Sequence, residues 1–530
     1  MEKEKNSKYE IWQPLLMSLI LAGGMLIGTK IDDELPLVAK STGLDETKPW
    51  EELKNVVGFI ESRYGDSLSV DSITEEAIEL LVSKLDPHSY YLSGLDYFHF
   101  KERMQGSYIG VGIDYDIIND TMQLIRIVPE GPADRAGLKQ GDQVLEINEK
   151  SVAGGKITHE KAYDIWRESA EELSIKILTS AAKEVVNKKI TKGPVQLKSI
   201  PASKMIGNGV GYIKISRFSS DTYKNFMQEV EKLSENGMSK LIIDVRRNPG
   251  GSLDQVVKIL NQLVSERDQL LIYTQGLNTK KVEYKSTGKV FFQIDDLAVI
   301  IDEHSVSASE VLAGSLQDLG RATIVGRRSY GKGLVQEMYN LSPTSAINLT
   351  VAKYYLPSGR FIQKSYADRN SYDLEIERRE ANGELFFEDS IKIVHHLTAT
   401  GLDGVPRPYG EGIIPDVFVA ADSFYYSDLW KDLEKPLYRD AFQYLMHNRE
   451  RITKILEGDN AMEVLREHVE ELTSLTELRN GESTRFSDKI TEGFVHLLLW
   501  HYYGEYTYYE KMLHEDNEVK AAIEILMEKD

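Results

Sequence analysis

The 530-residue sequence contains no cysteine. Disulfides, a thiol nucleophile and cysteine-ligated zinc are therefore all excluded, and the lack of thiols agrees with an oxidising compartment outside the cytoplasm. Basic residues are the minority: 63 Lys and Arg against 84 Asp and Glu give a formal net charge of −21. So acidic a chain is unsuited to non-specific binding of nucleic acid, whose phosphates demand the opposite sign. Long hydrophobic runs are scarce. The exception is "IWQPLLMSLILAGGMLIG", Ile11 to Gly28, an uncharged stretch between a signal-peptide core and a full membrane span in length. No small-x-small cleavage site follows it, so we expect a retained signal anchor over residues 11–30 behind a cytoplasmic tail, 1–10. Lys3, Lys5 and Lys8 precede the segment, with Lys30 and Lys40 behind it. On the positive-inside rule the body then lies on the extracytoplasmic (periplasmic) side of the inner membrane.

A chain of this length divides into several domains. Residues 31–49, with Pro36, Gly43 and Pro49, read as a linker. Residues 50–105 carry helical periodicity, with Ile73, Ala77, Leu80, Leu81 and Leu85 on one stripe. "LDPHSYYLS" then breaks the pattern at Pro87, and His88 reads as a capping or packing residue. Residues 106–182 form a small Gly-punctuated module of strands with two short helices. Residues 183–420 alternate short apolar strands with helices, which predicts α/β architecture with a mainly parallel sheet and sites at the strands' carboxyl ends. "RRNPGGS" and "EHSVSAS" both fall there. Residues 421–530 are helical; seven aromatics between Phe494 and Tyr509 read as a bundle core, and the extension offers a surface for oligomerisation or an adaptor.

Three loops invite chemistry, and each has a bland explanation by itself. Ser307 with Glu310 makes a helix capping box, as does Ser252 with Gln255. Gly250 and Gly251 present N–H groups at the start of a helix, where an anion is favoured, though the Walker spacing is missing. Lys332 stands between Gly331 and Gly333, where most lysines are simply solvated.

Taken in order, "DVRRNPGG", "SVSASE" and "YGKGLVQ" resemble the carboxyl-terminal processing peptidases, the tail-specific Ser/Lys proteases of family S41. The resemblance covers most of residues 50–420, including "LDPHSYYLS", "RATIVGRRSYGKGLVQ", "YYLPSGRFIQ" and "GEGIIPDVFV". It implies a crotonase-like core, Ser307 as nucleophile, Lys332 as general base and Gln336 as the residue that orients the lysine. The oxyanion donors would be the N–H of Ala308 and one from Gly250 or Gly251. No metal or cofactor is implied. "PEGPADRAGLKQGDQVLEINEKSV" resembles a PDZ domain, which implies a groove for flexible, apolar C-termini of exported or membrane proteins. Tyr108, Ile109, Gly110 and Val111 would offer N–H groups to the terminal carboxylate, with the peptide added as a strand beside them. The sequence departs from the family at His304, Val306 and Arg247, where Gly, Ala and Asn are common.

The chemistry sets conditions on these roles. A lysine acting as base near neutrality needs its pKa lowered by roughly 2.5–3 units, about 3–4 kcal/mol, which burial can supply. Gln336 would lie about 13 Å from Lys332 on a straight strand, so contact requires a bend at Gly333. His304 with Asp302 is the alternative base pair. Ser305 and Ser309 read as structural hydroxyls. The rivals to a protease are an inactive PDZ scaffold and a retinoid- or lipid-binding relative of the fold.

Overall fold

The computed structural model describes residues 48–155, 157–167, 171–393, 397–475 and 487–528. The expected tail and anchor and nearly all of the linker lie outside the described residues. Among the described residues no helix is long and apolar enough to cross a membrane. The chain divides into two units, residues 1–77 and 78–530. In the first, helix α1 (Lys48–Arg63) precedes the start of α2 (Val70–Ser83). Of the apolar residues toward the end of α2, Val82 is buried while Leu80 and Leu81 stay exposed, as does Leu85 beyond it. Periodicity identifies an apolar face; it does not say that anything covers it.

Strand β1 (Tyr90–Ser93) and helix α3 (Gly94–Gln105) lead into the small module, built from β2 (Ser107–Gly110), β3 (Ile113–Ile118), β4 (Thr121–Ile127), β5 (Gln143–Ile147), helix α4 (His159–Arg167), β6 (Glu172–Leu178), β7 (Val185–Thr191) and β8 (Gly193–Gln196). Strands β3 to β7 pair antiparallel in chain order, and β2 pairs separately with β8. In "ELSIKIL" alternate residues Leu173, Ile175 and Ile177 point into a core with Met122, Leu124, Val144 and Ile147. Strand β7 pairs along the whole of β6, so the module continues past the expected boundary at residue 182. Only Ile190 of β7 is fully buried, which is why its sequence carries little sign of the sheet it joins.

The larger layer comprises β9 (Ala202–Met205), β10 (Val210–Lys214), α5 (Thr222–Glu235), β11 (Lys240–Asp244), α6 (Leu253–Leu263), β12 (Arg267–Gln275), β13 (Val282–Thr287), β14 (Asp296–Ile301), α7 (Ala308–Asp318), β15 (Thr323–Gly326), β16 (Leu334–Ser342), β17 (Ser345–Tyr355) and β18 (Val417–Phe418). One sheet runs β9-β10-β11-β14-β15-β18, parallel throughout except at β9. Every residue of β10 and β11 is buried, the mark of strands covered on both faces. Ile213, Leu241, Ile243 and Val299 face helices α5, α6 and α7. A second, antiparallel sheet runs β1-β17-β12-β13, with β16 also on β17.

The C-terminal helices are α8 (Asp428–Leu456), α9 (Ala461–Leu475), α10 (Ser487–Met512) and α11 (Asn517–Glu528). They are more than an extension. Val519, Ala522 and Leu526 of α11 cover the second face of the parallel sheet, against Tyr212, Ile242, Ala298 and Ile300. The aromatic cluster divides at Gly504, which breaks α10 at φ 72° and ψ 168°, a conformation essentially confined to glycine. Before the break Phe494 belongs to the bundle core with Leu445 and Leu465. Beyond it Tyr509 packs on the sheet and Tyr506 lies under the Lys198 ammonium at 4.5 Å. The same helices grip the small module: Phe442 packs on Ile118 and Ile125, Arg439 pairs with Asp116 at 2.6 Å, and Arg126 pairs with Glu505 at 2.9 Å.

Candidate active site

Three loops meet at the carboxyl ends of the parallel strands: residues 245–252 after β11, 302–307 after β14 and 327–333 after β15. Buried polar side chains tie the first two together. Asn248 donates from its amide to Ile215 O at 2.9 Å and accepts from Gly250 N–H at 2.8 Å. Its carbonyl accepts from the Ser309 hydroxyl at 3.0 Å and Val306 N–H at 3.0 Å. Ser305 donates to Val245 O at 2.9 Å. Ser305 and Ser309 are thus structural hydroxyls. Asp302 accepts from the N–H groups of Arg247 at 2.9 Å and His304 at 3.1 Å. The His304 ring is exposed, 3.9 Å from Glu303, and does not line the cavity that holds Ser307, so the His304–Asp302 alternative is not assembled.

Ser307 caps α7 with φ 57° and ψ −111°, a strained backbone for a residue with a Cβ. Its N–H donates to Glu310 Oε2 at 2.8 Å, one half of the expected capping box. The box expected at Ser252 is not made: Gln255 accepts instead from Tyr223 N–H at 2.9 Å. Glu310 does more than cap. Oε2 also accepts from Lys332 N–H at 2.8 Å, while Oε1 accepts from Gly331 N–H at 2.6 Å and the Ser329 hydroxyl at 2.5 Å. One buried carboxylate therefore carries both the serine loop and the lysine loop. Burial pushes its carboxyl up to about 7 against those four donors. The sequence shows Glu310 as a cap partner, and nothing local says that it reaches Lys332.

Lys332 donates from its ammonium to Gln336 Oε1 at 2.8 Å. Gln336 in turn donates from Nε2 to the carbonyl of His88, which fixes which end of the amide faces the lysine. The contact is possible because β16 begins only at Leu334 and its pairing with β17 shifts register between Val335 and Gln336. His88 thus acts through its carbonyl; burial, with Lys332 nearby, pushes its imidazole down to about 4. Burial also holds Lys332 below the ordinary lysine range, opposed by the charges of Glu310 and Asp86.

Ser307, Lys332, Gln336, Gly250 and Gly251 line one cavity of about 580 Å³, walled by Phe100, Phe218 and Tyr354 and reached by Tyr509 of α10. Of the expected oxyanion donors, Gly250 N–H is occupied by Asn248. The N–H groups of Ala308 and Gly251 have no acceptor among the described residues. A Cβ on Gly250 would stand 3.1 Å from Ala308 N, so the glycine turn and the start of α7 are in direct contact.

Three of the four residues expected to form the carboxylate loop do not form a loop. Tyr108, Ile109 and Gly110 are strand residues paired with Val195, Pro194 and Gly193 of β8. The chain reverses into β3 only at Val111 and Gly112, where Val111 O accepts from Ala133 N–H at 2.8 Å. Glycine spacing alone left the register of this loop open, and the β8 partner comes from a segment far along the chain.

Residues 209–371 match Peptidase family S41 and residues 99–178 match the PDZ domain. Carboxy-terminal processing protease CtpB of Bacillus subtilis (strain 168) is 31% identical over 367 residues, covering 66% of this chain and 75% of that protein. A probable CtpA-like serine protease of Staphylococcus aureus (strain bovine RF122 / ET3-1) is 29% identical over 326 residues, 61% of this chain and 65% of the relative. Among solved structures, a photosystem II D1 C-terminal processing protease is 22% identical over 70% of this chain and 87% of that one, with a TM-score of 0.36.

Proposed function

The chain belongs to the carboxy-terminal processing proteases of peptidase family S41, and is therefore a serine-type peptidase; on that premise we propose that Ser307 is its nucleophile and Lys332 its general base. The observation that carries this reading is the Glu310 carboxylate, whose single oxygen Oε2 holds the backbone N–H of both residues at 2.8 Å. The lowered pKa of Lys332 supports it as well. A neutral Nζ bonded to Gln336 Oε1 keeps its lone pair for the serine proton. Oγ then attacks the substrate carbonyl, and the resulting oxyanion is held by the N–H groups of Ala308 and Gly251. The protonated lysine returns its proton to the departing amine, leaving an acyl-enzyme that water cleaves by the same base.

The PDZ domain delivers the substrate in this reading. Strand β3 pairs with β4 on one edge, and a flexible apolar tail adds along the other, its carboxylate toward the Val111–Gly112 turn. The resemblance of the site loops supports a crotonase-like core. The uncharged segment at Ile11–Gly28 and the absence of cysteine support a membrane-anchored enzyme acting on exported proteins. A serine-reactive probe should label the wild type and not Ser307→Ala, and the wild type should cleave a peptide with a free apolar C-terminus. Labelling that survives in Ser307→Ala would remove Ser307 from the mechanism, and a folded, unlabelled wild type would favour the PDZ scaffold.

A further inference from the structure

The cavity around Ser307 is basic in an otherwise acidic chain. Arg103 on α3, Arg217 after β10 and Arg247 after β11 all line it, and none has an ion pair or a side-chain hydrogen bond among the described residues. Of the remaining cationic residues of the lining, Arg246 pairs with Asp244 and Asp516 and Lys214 with Asp244, while Lys332 is bonded to Gln336 as the proposed base. Glu505 is the one acid among the lining residues, and it is occupied by Arg126 at 2.9 Å.

Two of the free arginines flank the glycine turn. Arg217 precedes Phe218, whose N–H donates to Gly250 O at 2.9 Å and whose carbonyl accepts from Ser252 N–H at 2.8 Å. Arg247 precedes Asn248, which holds Gly250 N–H, and its own backbone is pinned at φ 56° by the bond to Asp302. A substrate strand lying across Gly250 and Gly251 to reach Ser307 enters a cavity lined by both arginines, each on a fixed backbone.

Resting on the peptidase reading, we propose that this cleft selects acidic segments, with Asp or Glu side chains beside the scissile bond received by Arg217 and Arg247. Guanidinium groups bind carboxylates through paired N–H donors in a geometry that lysine cannot reproduce. The net charge of −21 does not cancel the attraction. Charges more than about 10 Å away are largely screened at 0.1 M salt, whereas groups lining the same cleft are not.

The test compares fluorogenic peptides with one common free C-terminal tail, differing only in Glu, Gln or Lys on either side of the cleaved bond. Replacing Glu by Gln should lower kcat/KM by roughly 10-fold, chiefly through KM, and Lys should lower it further. The Glu-to-Gln ratio should shrink at 0.5 M salt. In the double variant Arg217→Gln/Arg247→Gln the ratio should fall to within twofold, whereas Arg217→Lys/Arg247→Lys should keep part of it. If the double variant does not fold, each single Gln variant should still reduce the ratio by roughly threefold. Equal cleavage of Glu and Gln peptides by the wild type overturns the proposal and leaves the peptidase reading intact, as does an undiminished ratio in folded Gln variants. Failure to cleave any peptide, together with no labelling of Ser307, brings down the peptidase reading and this proposal with it.

Discussion

Gly250→Ala probes how tightly the glycine turn is set against the nucleophile. The new Cβ would stand 2.8 Å from Val306 O, 3.0 Å from Ser307 Cβ and 3.1 Å from Ala308 N. None of these is the end of a flexible side chain, so the serine loop itself has to retreat by about 0.3–0.6 Å to reach normal contact distance. The backbone adds to this, because φ is 96° and an alanine there is strained by about 1–3 kcal/mol. With overpacking of similar size, stability should fall by about 2–6 kcal/mol, against the roughly 5–15 kcal/mol of a typical domain. A misplacement of 1 Å costs about 100-fold, so half of that should reduce kcat/KM by roughly 10-fold or more. The control is Gly207→Ala, where φ is 102° and nothing lies within 4 Å of the added carbon. It should lose stability through strain alone and keep its turnover. Urea unfolding, circular dichroism and peptide cleavage on both variants separate the two effects. A folded Gly250→Ala enzyme with kcat/KM within twofold of the wild type would refute this account of the site.

Lys332→Arg should be as inactive as Lys332→Ala, because a guanidinium keeps its proton near neutrality. In the wild type the neutral amine gains population as pH rises, so the rate should climb through a midpoint below the ordinary 10.5; a flat profile in that range would exclude the lysine as base. Gln336→Glu puts a carboxylate on the ammonium and should raise that midpoint by about 1–3 units, with a matching loss of rate at pH 7; wild-type turnover there would mean that Gln336 does not touch the working lysine. Ser305→Ala should cost about 1–3 kcal/mol by urea titration and retain turnover, whereas Ser307→Ala should fold normally and be inert. Amidating the substrate's C-terminus should lower kcat/KM by roughly 10-fold or more, and equal cleavage would place tail recognition outside the PDZ domain.

Much of this protein follows from the order of its residues. The alternation in "ELSIKIL", the continuous apolar strands at β10 and β11 and the serine cap on α7 are local features, set by a period or by a neighbour a few positions away. Local chemistry therefore marks the three loops and the structural hydroxyls of Ser305 and Ser309, and it is the resemblance of the ordered motifs that singles out Ser307 and Lys332. What distant segments bring stayed outside its reach. Gln336 meets Lys332 because a register shift against β17 and the carbonyl of His88 turn it there. Ile215 O holds the Asn248 amide whose oxygen takes Gly250 N–H from the expected oxyanion donors, and β8 draws Tyr108–Gly110 into a strand. Glu310 reads as a cap partner until the loop after β15 folds over it, and the C-terminal helices read as an appendage until α11 covers the sheet and Tyr509 reaches the cavity. In each case the deciding hydrogen bond or contact joins segments far apart along the chain, so only packing of the whole sheet and its helices could bring the partners together.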